Sequence, residues 1–466
     1  MDRSSSTARL LLAVGLVLSL VAAACTSSAE TTTTTTPDTD PSETTTTAPP
    51  DSPPDDSSST TATPPLTDVP GSASDSLDPA SVERIRSELA ELIVTTEAVR
   101  GLPFLETPTV TILDEQEFSD RVNTLISEEL DPDETTIDQA YFSMMGMWDD
   151  QTDLYQFLID LYTEQVAGFY DAETKEMVVP ASTDGFTTLQ EITVIHELTH
   201  ALTDQHFDYN DEYELRFDEG TGDDAVAMSV LLEGDATYFQ LIYMQELSAA
   251  RALQAAMESL TIDTGSLDAA PQWLQDDLLF PYEQGLTFVQ DVVSEGGIAA
   301  VDLAYGDLPD TTEQVLDPSK YLRSEGPREL APLAVSLPGW EEHDRGSLGE
   351  WGLRLILTET LPSGAVTQAA AGWGNDDYRI LTDGDEVALV LSYVGDSESD
   401  AEDLTNGLIA HTRAQMNVGE SVEDGGGLLF DQGEVYVFID RVEDEIFYIA
   451  ATDAAAGADL RTQLGL

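Results

Sequence analysis

Residues 188–206 read TLQEITVIHELTHALTDQH and hold three of the chain's five histidines. The apolar residues recur at helical spacing, and a helix fixes what the polar ones can reach. His196 and His200 are four apart, so they stand one turn apart on one face and can send both imidazoles to one metal ion. Glu197 is rotated about 100° from that row. It cannot coordinate beside the histidines, but it can reach a water on the metal's open side. Two ligands and a general base are the mechanical content of His-Glu-x-x-His, and zinc is the ion that suits them. The competing reading is an amphipathic helix whose histidines bind nothing. Thr188 with Glu191 three residues on predicts a capping box, and the helix is expected to run to about His206. A fold that uses this helix must bring a third protein ligand to it.

Two residues compete for that place. His206 lies ten residues after His196. That spacing resembles the metzincin pattern His-Glu-x-x-His-x-x-Gly-x-x-His, in which a glycine breaks the helix and swings the third histidine back; here the glycine position is Thr203, which lacks that freedom. If the helix continues, His206 lies about 240° round from His200 and faces away. Glu233 lies in LLEGDATYFQ, inside a long helix expected over residues 223–247. A carboxylate among Val230, Leu231 and Leu232 is costly to bury unpaired, and a metal ion offsets that cost. An arginine partner or exposure to water would do so too. Gly234 and Ala236 are small enough to let this helix pack closely on the histidine helix. Asp235 is about 200° round from Glu233, which leaves a bond to a histidine from behind as its available role.

Helical spacing marks residues 78–99, 117–129, 136–148 and 153–165, while TVTIL at 109–113 reads as a strand. In QVAGFYDAETKEMVVP, residues 166–170 and 177–179 are strand-like about a polar turn, a hairpin that leads into the histidine helix. Further helices are expected around Met257 and over 286–294 and 349–360. From about Tyr378 the texture changes. YRILTDGDEVALVLSYVG reads as a hairpin turning at Asp383 and Gly384. A helix over 401–415, strands in LLFDQGEVYVFID and EIFYIAATD, and a last helix over 454–464 follow. The expected fold is α+β: a mainly helical domain over 76–368 with a small edge-strand sheet, then a small α+β domain of ββαββα order over 369–466.

Residues 1–25 read as an export signal. Arg3 and Arg9 flank the start of an apolar run, 10–24, that is too short to span a membrane and ends in VAAAC. Cys25, the only cysteine, is where a bacterial lipoprotein carries its lipid; simple secretion is the alternative. One cysteine excludes an intrachain disulfide. Residues 26–75 are rich in Thr, Ser, Pro and Asp, cannot bury enough surface to offset chain entropy, and read as a disordered stalk. The 90 acidic and 18 basic residues give a formal charge of −72, with lysine only at Lys175 and Lys320. That balance argues against nucleic acid and anionic lipid as electrostatic partners. The membrane contact expected is the lipid anchor alone, on the outer face of the cell. Acid excess with scarce lysine suits a protein soluble in saline water.

HELTH followed by a glutamate from the next long helix resembles the gluzincin class of zinc metallopeptidases, and EGDA resembles the Glu-Gly-x-Ala around the third ligand of zinc aminopeptidases. HELTHALTDQHF, LLEGDAT, FPYEQG, TTEQVLDPSKYL and AAAGWGNDDYR together are similar to a group of secreted or lipid-anchored bacterial proteins, from about Leu92 to the C-terminus. The resemblance implies a helix-and-edge-strand core in which His196, His200 and Glu233 hold one Zn2+ and Glu197 is the base. Asp317 stands where that pattern has histidine. The expected reaction is hydrolysis of a peptide bond in a peptide or protein substrate. Tyr238, Tyr282 and Tyr321 are candidate donors to the oxyanion, and the strand near Phe169 is a template for an extended substrate. The rival is a cell-surface binding or scaffold lipoprotein that keeps the fold without turnover, against which the intact Glu197 argues.

Overall fold

The computed structural model describes residues 69–149, 151–181, 185–262 and 264–466. The export signal, the lipid site at Cys25 and residues 26–68 of the expected stalk lie outside the described residues. The stalk's last residues do not behave as stalk. Val69 is buried, and residues 70–74 run beside the first strand, with Val110 N–H donating to Pro70 O at 2.8 Å and Ile112 N–H to Ser72 O at 3.1 Å. One buried valine and main-chain pairing suffice to order a segment whose composition alone predicts disorder.

Helix α1 (Pro79–Arg100) leads into strand β1 (Thr109–Leu113) and helices α2 (Glu115–Glu129), α3 (Pro132–Met144) and α4 (Leu154–Gln165). The abundant aspartates have a local use here. Asp78, Asp114, Asp131 and Asp153 cap the four helices, each side chain accepting a first-turn N–H. Strands β2 (Phe169–Asp171) and β3 (Glu176–Pro180) form the expected hairpin, with a later start because Val166 is the C-cap of α4. The three-stranded sheet has order β1-β3-β2, with β1 parallel and β2 antiparallel to β3, so β2 is an edge.

Helix α5 (Thr188–Phe207) carries the histidines, and α6 (Asn210–Glu219), α7 (Asp223–Glu246), α8 (Ala249–Ser259), α9 (Gly265–Ala269), α10 (Gln272–Gly296), α11 (Ile298–Ala304), α12 (Thr312–Leu316) and α13 (Pro318–Leu322) follow. The expectation for Gly234 is corrected. It faces α10, not the histidine helix. Gly234 and Gly285 meet where α7 and α10 cross, so a Cβ on Gly234 would fall 2.3 Å from the Gly285 carbonyl oxygen. Helix α10 starts well before residue 286 and runs through Pro281, so FPYEQG is helical.

The C-terminal part holds β4 (Glu341–Gly346), α14 (Gly349–Thr358), α15 (Ser363–Ala370), β5 (Trp373–Thr382), β6 (Val387–Gly395), α16 (Glu398–Gln415), β7 (Val422–Asp424), β8 (Gly427–Phe430), β9 (Tyr436–Val442), β10 (Glu445–Ala451) and α17 (Ala454–Leu464). The sheet order is β4-β5-β6-β10-β9-β8-β7, all antiparallel. The architecture is α+β, as expected. The ββαββα kernel is present as β5, β6, α16, β9, β10 and α17, but β4 extends one edge and the β7–β8 hairpin the other. The sheet thus takes a strand from before residue 369, and LLFDQGEVYVFID is two strands rather than one. Glu341–Gly346 escapes the sequence pattern because it reads EEHDRG, a charged edge strand with no apolar alternation.

One face of the sheet shares a core with the helical part: Tyr378, Leu389, Leu391 and Tyr448 pack with Phe142, Trp273 and Tyr282. Its other face, with Leu381, Val390, Phe438 and Ile449, is covered by Leu460 of α17 and by Leu333 and Leu337 of the preceding linker. His411 of α16 reaches across, its Nε2–H donating to Met145 O at 2.8 Å.

Two measurements test this packing. Gly285→Ala would place a Cβ 2.5 Å from Val230 O, and is expected to lower stability by about 1–3 kcal/mol as a drop in the thermal midpoint. An unchanged midpoint would mean that the helices separate at no cost. His411 tests the join between the parts. Burial penalises its charged form and pulls it down to about 4 from 6.5. A depressed folded value means that stability is complete above about 6.5 and is lost as pH falls through about 4, by roughly 3 kcal/mol in full. His411→Gln keeps a donor for Met145 O but does not titrate. It should lose less stability than the parent between pH 7 and pH ~4.5 in denaturant unfolding, and equal losses would refute the assignment.

Candidate metal centre

Helix α5 is fixed at both ends. Thr187 is its N-cap, with its hydroxyl accepting from Gln190 N–H at 3.1 Å while Gln190 Oε1 accepts from Thr187 N–H at 2.9 Å. The capping box therefore sits one residue earlier than expected. Glu191 is taken by Arg251 and by the Tyr243 hydroxyl at 2.9 Å. At the other end Asp208 closes the helix in the left-handed region, at φ 48°. Asp204, buried, accepts from the Tyr170 hydroxyl at 2.6 Å and from Lys175 Nζ at 2.7 and 2.8 Å. These bonds lash the β2–β3 hairpin to the histidine helix, and the same Tyr170 donates its main-chain N–H to Glu197 Oε2 at 2.9 Å.

Three donor atoms converge inside this frame. His196 Nε2 lies 3.0 Å from Glu233 Oε2 and 3.1 Å from His200 Nε2, and His200 Nε2 lies 3.4 Å from Glu233 Oε2. A tetrahedral ion with bonds of about 2.0–2.1 Å has ligand-to-ligand edges of about 3.3–3.4 Å. The three separations are close to those of one face of such a tetrahedron. His196 Nδ1 lies 3.1 Å from Gln240 Oε1, and donation from Nδ1–H would turn the Nε2 lone pair toward the Glu233 carboxylate. A positive charge, either a proton on His200 or a metal ion, is what joins the three groups at this range. Two imidazoles and one carboxylate, nearly closed to solvent, are a donor set that fits zinc.

The electrostatics agree. Burial alone would hold the His200 imidazolium down, but the Glu233 carboxylate outweighs it and, with Glu197, pushes His200 up to about 9. Burial opposes charge on Glu233 as well, yet the two imidazoles pull it down to about 2. The cluster favours negative charge on the carboxylate and positive charge opposite it.

The neighbouring candidates fall elsewhere. The helix runs unbroken through Thr203, and His206 Nε2 bonds to Pro103 O at 2.7 Å at the surface, away from the cluster. Asp235 does not bond a histidine. It accepts from Arg100 Nε at 3.3 Å and Nη2 at 3.2 Å and from the Tyr305 hydroxyl at 2.8 Å. The partner is a fully buried arginine that also meets Asp302 at 2.7 Å and lies over the Phe239 ring. Of the three tyrosines, Tyr282 is buried with its ring centroid 6.1 Å from that of His196. The Tyr321 hydroxyl donates to Asp307 O at 2.7 Å, and Tyr238 packs edge-on against Phe239. Asp317 caps α13 through Ser319 N–H at 3.1 Å and takes no part in the cluster.

Sequence reasoning missed Gln240, Tyr170 and Tyr213. Gln240 had a signal, since it lies seven residues past Glu233 and thus on the same helix face. Tyr170 acts through its main chain, which no side-chain pattern reveals. Tyr213 follows the histidine helix on α6, where burial and then the Glu233 carboxylate push its hydroxyl up. A second acidic group, Glu313, Glu325 and Asp396, already has its cation: Lys320 Nζ lies 2.6, 3.0 and 2.7 Å from the three. Side chains of the other quoted motifs also hold neighbouring elements together. Gln284 of FPYEQG donates to Val315 O, and Asp376 of AAAGWGNDDYR accepts from Trp373, Ser347 and the first N–H groups of α14.

Residues 336–461 match a domain of unknown function (DUF8575), a span that coincides with the C-terminal sheet and does not include His196, His200 or Glu233. No curated protein and no solved structure matches the chain.

Removing each competing third ligand separates them. Glu233→Ala is expected to lower zinc affinity by orders of magnitude in a competitive titration at neutral pH. His206→Ala should leave affinity unchanged and cost only the Pro103 bond, about 0.5–1.5 kcal/mol of stability. Metal loss in the second variant and not the first would reverse the assignment.

Proposed function

We propose that the chain is a zinc-dependent metallopeptidase that hydrolyses peptide bonds at the outer face of a bacterial cell, held there by a lipid on Cys25. The observation that carries this reading is the convergence of His196 Nε2, His200 Nε2 and Glu233 Oε2 within 3.0–3.4 Å of one another, with the Glu197 carboxylate one residue from His196. His196, His200 and Glu233 would hold the ion. Zinc supplies a Lewis acid that polarises a carbonyl and acidifies water.

The chain's own residues supply the rest. Glu197 takes a proton from the attacking water and returns it to the leaving amine. Its carboxylate is oriented by Tyr170 N–H at 2.9 Å, which ties the base to the edge strand. Strand β2 is an edge of the three-stranded sheet among the described residues, with its Tyr170 N–H taken by Glu197, and is the place for an extended peptide to lie alongside. Tyr282, beside His196, is the best placed of the three candidate tyrosines to meet developing negative charge. The burial of His196, Glu197 and Glu233 keeps the site dry, which strengthens each of these contacts. Among the described residues no helix is long and apolar enough to cross a membrane.

The test uses the purified chain with its zinc content measured and a casein or peptide library as substrate. One zinc per chain and cleavage are expected. Glu197→Gln is nearly isosteric and accepts no proton at neutral pH, so it should keep the zinc and lose roughly 10²–10⁴-fold in rate. Normal turnover in that variant would move the base role elsewhere. Full zinc with no cleavage of any library would favour the binding lipoprotein instead.

A further inference from the structure

Gln240 is buried, two turns after Glu233 on α7, and its Oε1 lies 3.1 Å from His196 Nδ1. It has not been assigned a purpose by any motif. His196 has two neutral forms. With the proton on Nε2, the imidazole would donate to Glu233 Oε2 at 3.0 Å and the pair would satisfy itself, closing the cluster to an ion. With the proton on Nδ1, the Nε2 lone pair is exposed to an ion. An acceptor at Nδ1 decides between them.

We infer that Gln240 is a positioning residue that holds His196 in its Nδ1–H form and so keeps the metal cluster open, and that it does so as a neutral amide because the site's charges already balance. This rests on the metal reading above. The second half follows from the inventory around the cluster. Glu233 and Glu197 are the two carboxylates beside the site; Asp235 behind it is matched by Arg100, which also meets the partly exposed Asp302 farther out. A divalent ion neutralises the first two. A carboxylate at position 240 would also accept from Nδ1–H, and would add one uncompensated negative charge near the ion.

The substitutions Gln240→Met, Gln240→Ala and Gln240→Glu test this on the whole folded chain, with circular dichroism as the check on folding. The probes are competitive zinc titration at one neutral pH and the visible spectrum of the cobalt-substituted protein. Met keeps the volume and loses the acceptor, so zinc affinity should fall about 10–100-fold, as for Ala, and the cobalt bands should shift. Glu restores the acceptor and adds charge, so affinity should exceed that of the parent. A purely structural role predicts the reverse order, with Met close to the parent and Glu worst, because Glu buries a charge. Parent-like affinity in Met, or weaker affinity in Glu than in Met, overturns the inference. Failure of the metal reading is a separate result: the parent would take up no zinc, or His196→Ala would retain it.

Discussion

A carboxylate in the middle of a helix without a polar face has to be matched by something. Glu233 is 4% exposed, and its neighbours from Ala225 to Phe239 are almost all buried. Taking such a group out of water costs several kcal/mol, and the structure answers with two imidazoles on the facing helix. The answer is incomplete in an informative way. Gln240 occupies the Nδ1 side of His196, and the other ring nitrogen meets Glu233. At 3.0–3.4 Å the three groups need positive charge among them, which a proton on His200 or a metal ion supplies, and the frame around them resists their moving apart. The capping box, the Arg251–Glu191 pair and the Lys175–Asp204–Tyr170 contacts each fix α5 at a different point. The buried Tyr170–Asp204 bond contributes about 1.5–3 kcal/mol, and the pairs of the half-exposed Arg251 and Lys175 about 0–1 kcal/mol each.

The frame extends well beyond the histidine helix. Gly234 lets α10 approach α7 until backbones touch, immediately after the residue that faces the histidines. Helix α10 in turn carries Tyr282 beside His196 and Trp273 in the core that the C-terminal sheet shares. Trp273 stacks on Phe142 at 4.7 Å and donates to Met147 O at 2.7 Å, while His411 from α16 binds Met145 O in the same stretch. The C-terminal sheet is therefore not an appendage. It forms one wall of the core against which the site's helices are set.

What could be read from the sequence depended on whether the determinant was local. His196, His200 and Glu197 were legible because helix periodicity alone places them. Glu233 was legible because a lone acid in an apolar run demands a partner. That Asp235 stays off the His196–His200–Glu233 cluster was legible from its rotation on the helix, but its partner was not, because Arg100 comes from α1, a long way off in sequence. Gly234 was correctly read as a close-approach residue but assigned to the wrong helix, since smallness says nothing of direction. Strand β4 was invisible because an edge strand reading EEHDRG lacks the alternation by which strands are found. The order at Val69 was hidden by composition, because pairing with β1 and a single buried side chain outweigh a polar surround.

The choice of cations around the site separates structural acids from the one that faces the cluster. Asp235 is matched by Arg100, and Asp204 by Lys175, one of only two lysines in the chain. Guanidinium and ammonium groups stay charged at neutral pH, so those pairs are permanent. Glu313, likewise buried, is matched by the other lysine, Lys320. Glu233 is matched by imidazoles, as is the buried Asp138 by His343. What sets Glu233 apart is that two imidazoles meet it, with Glu197 next to the first of them in the chain. An imidazole nitrogen can hold either a proton or a metal ion, whereas guanidinium and ammonium groups stay charged, so of these buried acids Glu233 is the one whose partners could exchange a proton for a metal.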